Sequence, residues 1–147
     1  MKFLLTIILV VCSLATKSTA SSWPCIARAS VRYIFTSEGR CSLNKMRQAY
    51  NEMRDANCRN CDKYFHCMAN YNAVYNCQQS STNRNVARRI SDCRESGQNS
   101  ADSRADQVAN RYGRNGGNCG SRYLCEYGCY YNPLFRICSR SVCQLIA

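Results

Sequence analysis

Apolar side chains recur at helical spacing through the middle of the chain. Leu43, Met46, Tyr50 and Met53 lie three, four and three residues apart, so they share one face of a helix. The same spacing recurs at Tyr64, Met68, Tyr71 and Tyr75, at Val86, Ile90 and Cys93, and at Ala105, Val108 and Tyr112. Polar breaks at 57–61, 78–85 and 97–100 separate these stretches. The pattern predicts a mainly α fold, a compact four-helix bundle with short connections.

Capping residues suggest where these helices begin and end. Ser42 or Asn44 is expected to cap the first helix and Asp62 the second. Gly113 is expected to close the fourth helix in a left-handed conformation. The small residues at 101, 105 and 109 would let that helix approach a neighbour closely.

The residues before the first predicted helix give a weaker signal. Val31 to Phe35 is apolar and β-branched enough for a strand, although a helical turn is also possible. Gly39 is expected to end this element.

The C-terminal residues 115–147 follow a different pattern. Five cysteines fall within 25 residues after the linker at 115–118. Arg122–Cys125 and Phe135–Ser139 are predicted as two short strands, with Asn132 and Pro133 turning between them. The segment is therefore expected to be a small disulfide-rich appendage, for which a β-hairpin is one form, because so short a stretch buries little core.

The first 20 residues are typical of a cleaved signal peptide. Lys2 precedes an apolar run from Phe3 to Leu14, and Ser18 to Ala20 supply small residues for cleavage. The run is too short for a membrane span. The predicted organisation is a signal peptide at 1–20, a helical domain at 21–114 and a cysteine-rich segment at 115–147. The protein is therefore expected to be secreted and extracellular.

Twelve cysteines remain after such cleavage, which predicts six disulfides in an oxidising compartment. They are Cys25, Cys41, Cys58, Cys61, Cys67, Cys77, Cys93, Cys119, Cys125, Cys129, Cys138 and Cys143. The sequence does not choose the pairing. Five of the twelve lie in the C-terminal segment, so at least one bridge must join that segment to the helices. Cys58-x-x-Cys61 with His66 and Cys67 also resembles a zinc ligand set, but disulfides are favoured and no metal is predicted.

The mature chain is strongly basic. The mature chain carries a net charge of +9, once Lys2 and Lys17 are removed from the +11 of the full sequence. Arg84, Arg88 and Arg89 cluster at the front of the third predicted helix, where they could bind a sulfate or phosphate group or a glycan. A plain solvated face is an equally good interpretation. Nucleic acid is disfavoured as a partner because the compartment is wrong.

Candidate catalytic residues are few. His66 is the one histidine, and a packed or surface role is favoured for it. The nine acidic residues offer no pair suited to glycoside hydrolysis, and the Gly-x-Ser-x-Gly motif does not occur. The sequence therefore predicts a non-enzymatic protein without catalytic residues or cofactor.

Four blocks of sequence resemble the serum amyloid A family in the same order. They are residues 46–57, 62–73, 90–95 and 102–114. The resemblance implies a four-helix bundle that often self-associates, so a homo-oligomer is possible. It also implies an acute-phase role in innate immunity, with binding to lipids or to lipoprotein particles such as high-density lipoprotein. Heparin-like sulfated glycans and bacterial surfaces are further partners implied by the family.

The resemblance also suggests which residues contact lipid. Met46, Tyr50, Met53 and Ile90 match apolar faces that bind lipid in the family, and Val86 is added from its spacing alone. Each of these residues could equally belong to the bundle core. Without a gap, residues 31–35 would align with the family's aromatic lipid segment. The alternative function is a cationic, cysteine-rich host-defence protein, antimicrobial or toxin-like, that binds anionic membranes or glycans.

Overall fold

The computed structural model describes residues 22–125 and 128–144 and is mainly α-helical, as predicted. The helices are α1 (Ser22–Val31), α2 (Ser37–Ala56), α3 (Asp62–Tyr75), α4 (Ser81–Glu95), α5 (Ala101–Arg114) and α6 (Cys119–Tyr123). Two short strands, β1 (Tyr131–Asn132) and β2 (Ile137–Cys138), form an antiparallel pair, and a 3-10 helix covers Arg140–Gln144. Helix α3 lies at the centre and packs against α2, α4, α5 and α6. Within these ranges, no helix combines the length and apolar character needed to cross a membrane.

Helices α2 to α5 are the four helices that the periodicity predicts, but α2 begins earlier than expected. Thr36 caps it by accepting a hydrogen bond from Gly39 N at 3.1 Å, so the caps predicted at Ser42 and Asn44 are wrong. Ser42 is instead buried inside the helix, where its hydroxyl donates to Ala73 O at 2.7 Å.

The starts of α3 and α4 also differ from the prediction. Asp62 is the first residue of α3, and Cys61 takes the cap position without a side-chain hydrogen bond. Helix α4 begins at Ser81, inside the stretch predicted as a polar loop. Ser80 and Asn83 form a reciprocal capping box there, which allows the helix to start within a polar sequence.

Gly113 does not close α5, because the helix continues to Arg114. The position is buried, and a Cβ atom there would lie 2.1 Å from the carbonyl oxygen of Cys67. Gly113 therefore permits the close approach of α5 to α3. Of the small residues predicted for this role, Ala109 is fully buried, whereas Ala101 is exposed.

The strand considered for Val31 to Phe35 is absent, and a helical turn is present instead. Helix α1 ends at Val31 and residues 32–35 form turns. Gly39, expected to end this element, lies in the first turn of α2 and is buried beneath Tyr33. Helix α1 packs on α4 and is tied to it by the Cys25–Cys93 disulfide.

The C-terminal segment forms the predicted hairpin at shifted positions. The strand predicted at Arg122–Cys125 is wrong, because Arg122 and Tyr123 end α6. β2 lies within the predicted Phe135–Ser139, and the chain turns at Pro133 as expected. The segment also adds to the main core, which includes five of its side chains: Cys119, Tyr123, Leu124, Cys129 and Tyr131.

The twelve cysteines of the residues that the structure describes are all paired, in six disulfides. Cys25–Cys93 joins α1 to α4, Cys41–Cys77 joins α2 to the turn after α3, and Cys125–Cys143 lies within the C-terminal segment. The remaining three, Cys58–Cys138, Cys61–Cys129 and Cys67–Cys119, join the C-terminal segment to the helices. The prediction that at least one disulfide joins the C-terminal segment to the helical part is thus confirmed, because three do so. The signal peptide predicted at 1–20 lies outside the described residues.

Candidate functional site

The three arginines predicted to bind anions are all exposed on α4. The Arg84 guanidinium donates to Arg114 O at 2.7 Å and lies 5.5 Å from the centre of the Tyr75 ring. This contact holds Arg84 against the end of α5. Arg88 and Arg89 project from the same helix into solvent.

Helix α5 adds Arg111 and Arg114, which the sequence pattern did not associate with this group. Arg114 is half-buried and donates to Asn70 Oδ1 at 2.7 Å. Its pKa is lowered chiefly by burial; the negative charge of Asp92 opposes this shift, and the positive charges of Arg111 and Arg88 add to it. We call Arg84, Arg88, Arg111 and Arg114 the arginine face. Its positive charges repel one another, so a bound anion would relieve that repulsion.

The five lipid candidates contribute to packing between helices. Val86 is fully buried and Ile90 nearly so. Met46 packs against the cluster around Val74, and Met53 packs against the main core. Lipid contact at these residues stays a prediction, and in this packed state it would require the helices to separate.

Tyr50, the fifth candidate, is half-buried and flanked by cations. The Arg94 guanidinium lies 5.0 Å from its ring centre and that of Arg54 lies 5.9 Å away. These contacts are cation–π interactions. They give the ring a role between α2 and α4 that does not depend on lipid.

Two groups of apolar side chains face solvent. Val31, Ile34 and Phe35 are 58%, 42% and 79% exposed, and we call them the N-terminal apolar turn. The hairpin tip consists of Leu134, Phe135 and Ile137, which are 87%, 72% and 54% exposed. These residues are available for lipid without any rearrangement of the bundle.

A buried polar cluster lies between α3, α4 and α5. We call Asp62, His66, Glu95 and Asp106 the acid–histidine cluster. The His66 Nε2 atom lies 3.6 Å from Asp62 Oδ1, 3.6 Å from Asp106 Oδ2 and 3.8 Å from Glu95 Oε1. His66, Glu95 and Asp106 are buried, and Asp62 is half-buried. The ligand atoms of Asp62, His66 and Asp106 all lie within 4.8 Å of one another, close enough to share a metal ion.

A contact at the Nδ1 edge of the His66 ring, with Asn110, fixes the orientation of the ring. The His66 Nδ1 atom lies 3.1 Å from Asn110 Oδ1, which also accepts a hydrogen bond from Asn70 Nδ2 at 2.8 Å. Because Asn110 Oδ1 can only accept, Nδ1 carries the proton and donates it. The Nε2 atom is therefore the one directed at the carboxylates.

Lys63 contacts the outer side of the same cluster. Its ammonium group lies 3.1 Å from Asp106 Oδ1 and hydrogen-bonds Asp102. Burial alone would lower the pKa of Lys63, but these two hydrogen bonds raise it above its ordinary value. The pKa of Asp106 is raised, chiefly by burial, although the contact with the Lys63 ammonium group lowers it.

Comparison with known proteins identifies the family. A family model described as serum amyloid A protein matches residues 33–131, a range that includes the arginine face and the acid–histidine cluster. The chain is 42% identical over 105 residues to the serum amyloid A protein of Anas platyrhynchos, covering 63% of this chain and 80% of that protein.

Two mammalian relatives match over shorter stretches. The serum amyloid A protein of Canis lupus familiaris is 41% identical over 70 residues, which is 48% of this chain and 52% of the relative. The serum amyloid A-3 protein of Mesocricetus auratus is 42% identical over 76 residues, 48% of this chain and 60% of the relative. The match thus spans little more than half the length of these two relatives. From the family model and the avian relative together, the chain belongs to the serum amyloid A family.

Proposed function

We propose that this protein is a secreted, non-enzymatic acute-phase protein of innate immunity that associates with lipid surfaces or lipoprotein particles. Family membership supports the general role. The observation that carries the lipid part is the exposure of Val31, Ile34 and Phe35 beside arginines of the same region.

The N-terminal apolar turn suits the surface of a lipid layer. Single exposed apolar residues are ordinary, but here three occur within five consecutive positions. Fully burying one such side chain is worth about 1.5–3 kcal/mol. Arg28, Arg32 and Arg40 are exposed nearby, so their guanidinium groups can meet phosphate while the apolar side chains enter the acyl region.

The arginine face supports a second kind of contact, with sulfated glycans or anionic bacterial surfaces. Arg88 and Arg111 are exposed, and each can bind a sulfate or phosphate group in bidentate fashion. This observation favours the alternative of a cationic host-defence protein. The two functions differ in salt dependence, because screening weakens charge contacts while apolar burial persists.

The experiment is flotation of the disulfide-bonded mature chain with phosphatidylcholine vesicles and, separately, with anionic vesicles that also contain phosphatidylserine, each at low and at high salt. We expect the protein to float with phosphatidylcholine vesicles at both salt concentrations. The double variant Ile34→Ser/Phe35→Ser should lose most of this binding, because it removes apolar area without changing charge. Val108→Ser is the matched control, since Val108 is an exposed apolar residue on α5, away from the turn.

The outcomes separate the two functions. Failure of the wild type to float at either salt concentration would refute lipid association. Flotation only with anionic vesicles, lost at high salt, would establish the cationic alternative. Equal flotation of the double variant and the control would show that the N-terminal apolar turn does not carry the binding.

A further inference from the structure

We propose that the acid–histidine cluster is a binding site for a divalent transition metal, best fitted by Zn²⁺. Asp62 Oδ1, His66 Nε2 and Asp106 Oδ2, which lie within 4.8 Å of one another, are three of its ligands, and Glu95 Oε1, 3.8 Å from Nε2, is the fourth. The site lies where α3, α4 and α5 meet. It is separate from both exposed apolar groups, and Arg111 of the arginine face lines the groove that leads to Glu95.

The orientation of the His66 ring supports this assignment. With the proton on Nδ1 and directed at Asn110 Oδ1, a neutral ring presents the lone pair of Nε2 to the carboxylates. A lone pair that faces three carboxylate oxygens is unfavourable unless a cation lies between them. A histidine that ligates a metal commonly donates its other N–H to a fixed acceptor, and Asn110 supplies that acceptor here.

The distances also favour a shared ion. Separations of 3.6, 3.6 and 3.8 Å from Nε2 to the carboxylate oxygens are too long for hydrogen bonds. Four ligands at about 2.0–2.1 Å from a tetrahedral zinc ion are separated by roughly 3.3–3.4 Å from one another. The ligand atoms of Asp62, His66 and Asp106 lie within 4.8 Å of one another, so side-chain rotations that bring them closer by up to about 1.5 Å would give coordinating distances.

Lys63 leaves the inner oxygens of two aspartates available. It lies 3.5 Å from Asp62 Oδ2 and 3.1 Å from Asp106 Oδ1, while the second oxygen of each carboxylate faces His66. The buried Asp106 Oδ1 has no well-aligned hydrogen bond in the part of the chain that the structure describes, so the ammonium contact is its main support. The carboxylates of Asp62, Asp102 and Asp106 all contact the single ammonium group of Lys63. The negative charge that remains would be neutralised by a divalent ion.

The chemistry of the ligands points to zinc rather than calcium or magnesium. An imidazole nitrogen with carboxylate oxygens suits Zn²⁺, whereas Ca²⁺ and Mg²⁺ prefer oxygen ligands throughout. Every cysteine of the described chain that could compete for zinc is in a disulfide. Glu95 also lines a groove between α4 and α5, together with Gln98 and Ser103, which provides a path for the ion from solvent.

The competing explanation is that His66 carries two protons and forms ion pairs with the carboxylates. In that case the cluster is complete without metal and added zinc finds no site. Direct titration with zinc therefore separates the two explanations.

The test uses the full disulfide-bonded mature chain, without an affinity tag, after treatment with EDTA. Isothermal titration with ZnCl₂ should show one site, and zinc should raise the melting temperature. Asp62→Asn and Glu95→Gln should each weaken binding at least tenfold, because each removes one charged ligand. Asp92→Asn is the matched control, an exposed acid on α4 that does not contact His66, and it should bind zinc as the wild type does.

Nuclear magnetic resonance of the imidazole nitrogens supplies a readout that a merely structural role would not change. The chain has one histidine, so its resonances are assigned directly. Zinc should shift Nε2 strongly and leave Nδ1 protonated. Absence of saturable binding below millimolar zinc, unchanged His66 resonances, or equal affinity in all three variants would each overturn the site. Circular dichroism of each variant verifies that it remains helical.

Discussion

Asparagine side chains hold the central helices together through hydrogen bonds. Asn70 on α3 donates to Asn110 on α5 at 2.8 Å and accepts from Ser91 on α4 at 3.1 Å. Asn83 on α4 donates to Ser42 on α2 at 2.8 Å. These side chains are almost fully buried. Because each contact satisfies a specific donor and acceptor, the network favours one relative placement of the four helices.

Gly113 provides the residue-scale prediction. Replacing it with alanine places a Cβ atom 2.1 Å from the Cys67 carbonyl oxygen, so α3 and α5 must move apart. We expect Gly113→Ala to reduce the free energy of unfolding by about 1–3 kcal/mol or more, the usual cost of overpacking. Chemical denaturation with the disulfides intact measures this loss.

Gly120 is the matched control because it is also a helical glycine. A Cβ atom there would find its nearest neighbours at 3.5 and 3.8 Å, ordinary contact distances. Gly120→Ala should leave stability unchanged or raise it slightly. Equal stability of the two variants would contradict the close packing of α5 on α3.

At the scale of the element, α2 depends on its cap. Thr36 is exposed and accepts the hydrogen bond from Gly39 N, so its side chain contributes through that bond rather than through burial. Thr36→Ala should cost about 1 kcal/mol, and Thr36→Ser should retain most of the stability. Thermal unfolding of the three proteins checks the order. A serine variant as unstable as the alanine variant would contradict the capping role.

The central helices were predictable because their apolar residues repeat with the period of the helix. The start of α4 was harder to predict, because Ser80 and Asn83 form a capping box with asparagine where glutamate or glutamine is usual. Helix α1 was not predicted, and it packs on α4 through contacts that only the tertiary fold supplies; the residues at 32–35, considered for a strand, form turns after it. Local pattern thus identifies elements better than it identifies their ends.

The candidate sites were only partly predictable. Asp62 and His66 are four residues apart, a spacing that places both on one face of α3 and was visible in the sequence. Glu95 and Asp106 come from two other helices, and only the tertiary fold brings them to His66. The same reason explains why Arg114 was not associated with Arg84.

At the scale of the whole molecule, bridges join distant parts of the chain. Cys67–Cys119 closes a span of 52 residues inside the main core, whereas Cys125–Cys143 closes 18 residues at the edge of that core, where both cysteines are half-buried. The chain-entropy model assigns about 4 kcal/mol to the first bridge and about 3 kcal/mol to the second. Loss of core packing adds to the first value, because Cys67 is fully buried.

We therefore expect Cys67→Ala/Cys119→Ala to melt at a lower temperature than Cys125→Ala/Cys143→Ala. Scanning calorimetry of the two oxidised variants measures the difference. The reverse order would show that the C-terminal segment contributes little to the core around α3.

The three bridges from the C-terminal segment to Cys58, Cys61 and Cys67 also change what proteolysis can achieve. The connection at 96–100 between α4 and α5 is exposed and is the natural place for a protease to cut. Such a cut would break the backbone once, yet the two fragments would stay linked through the three disulfides. A truncated N-terminal fragment would leave only after reduction, so its release would require a reducing agent as well as a protease.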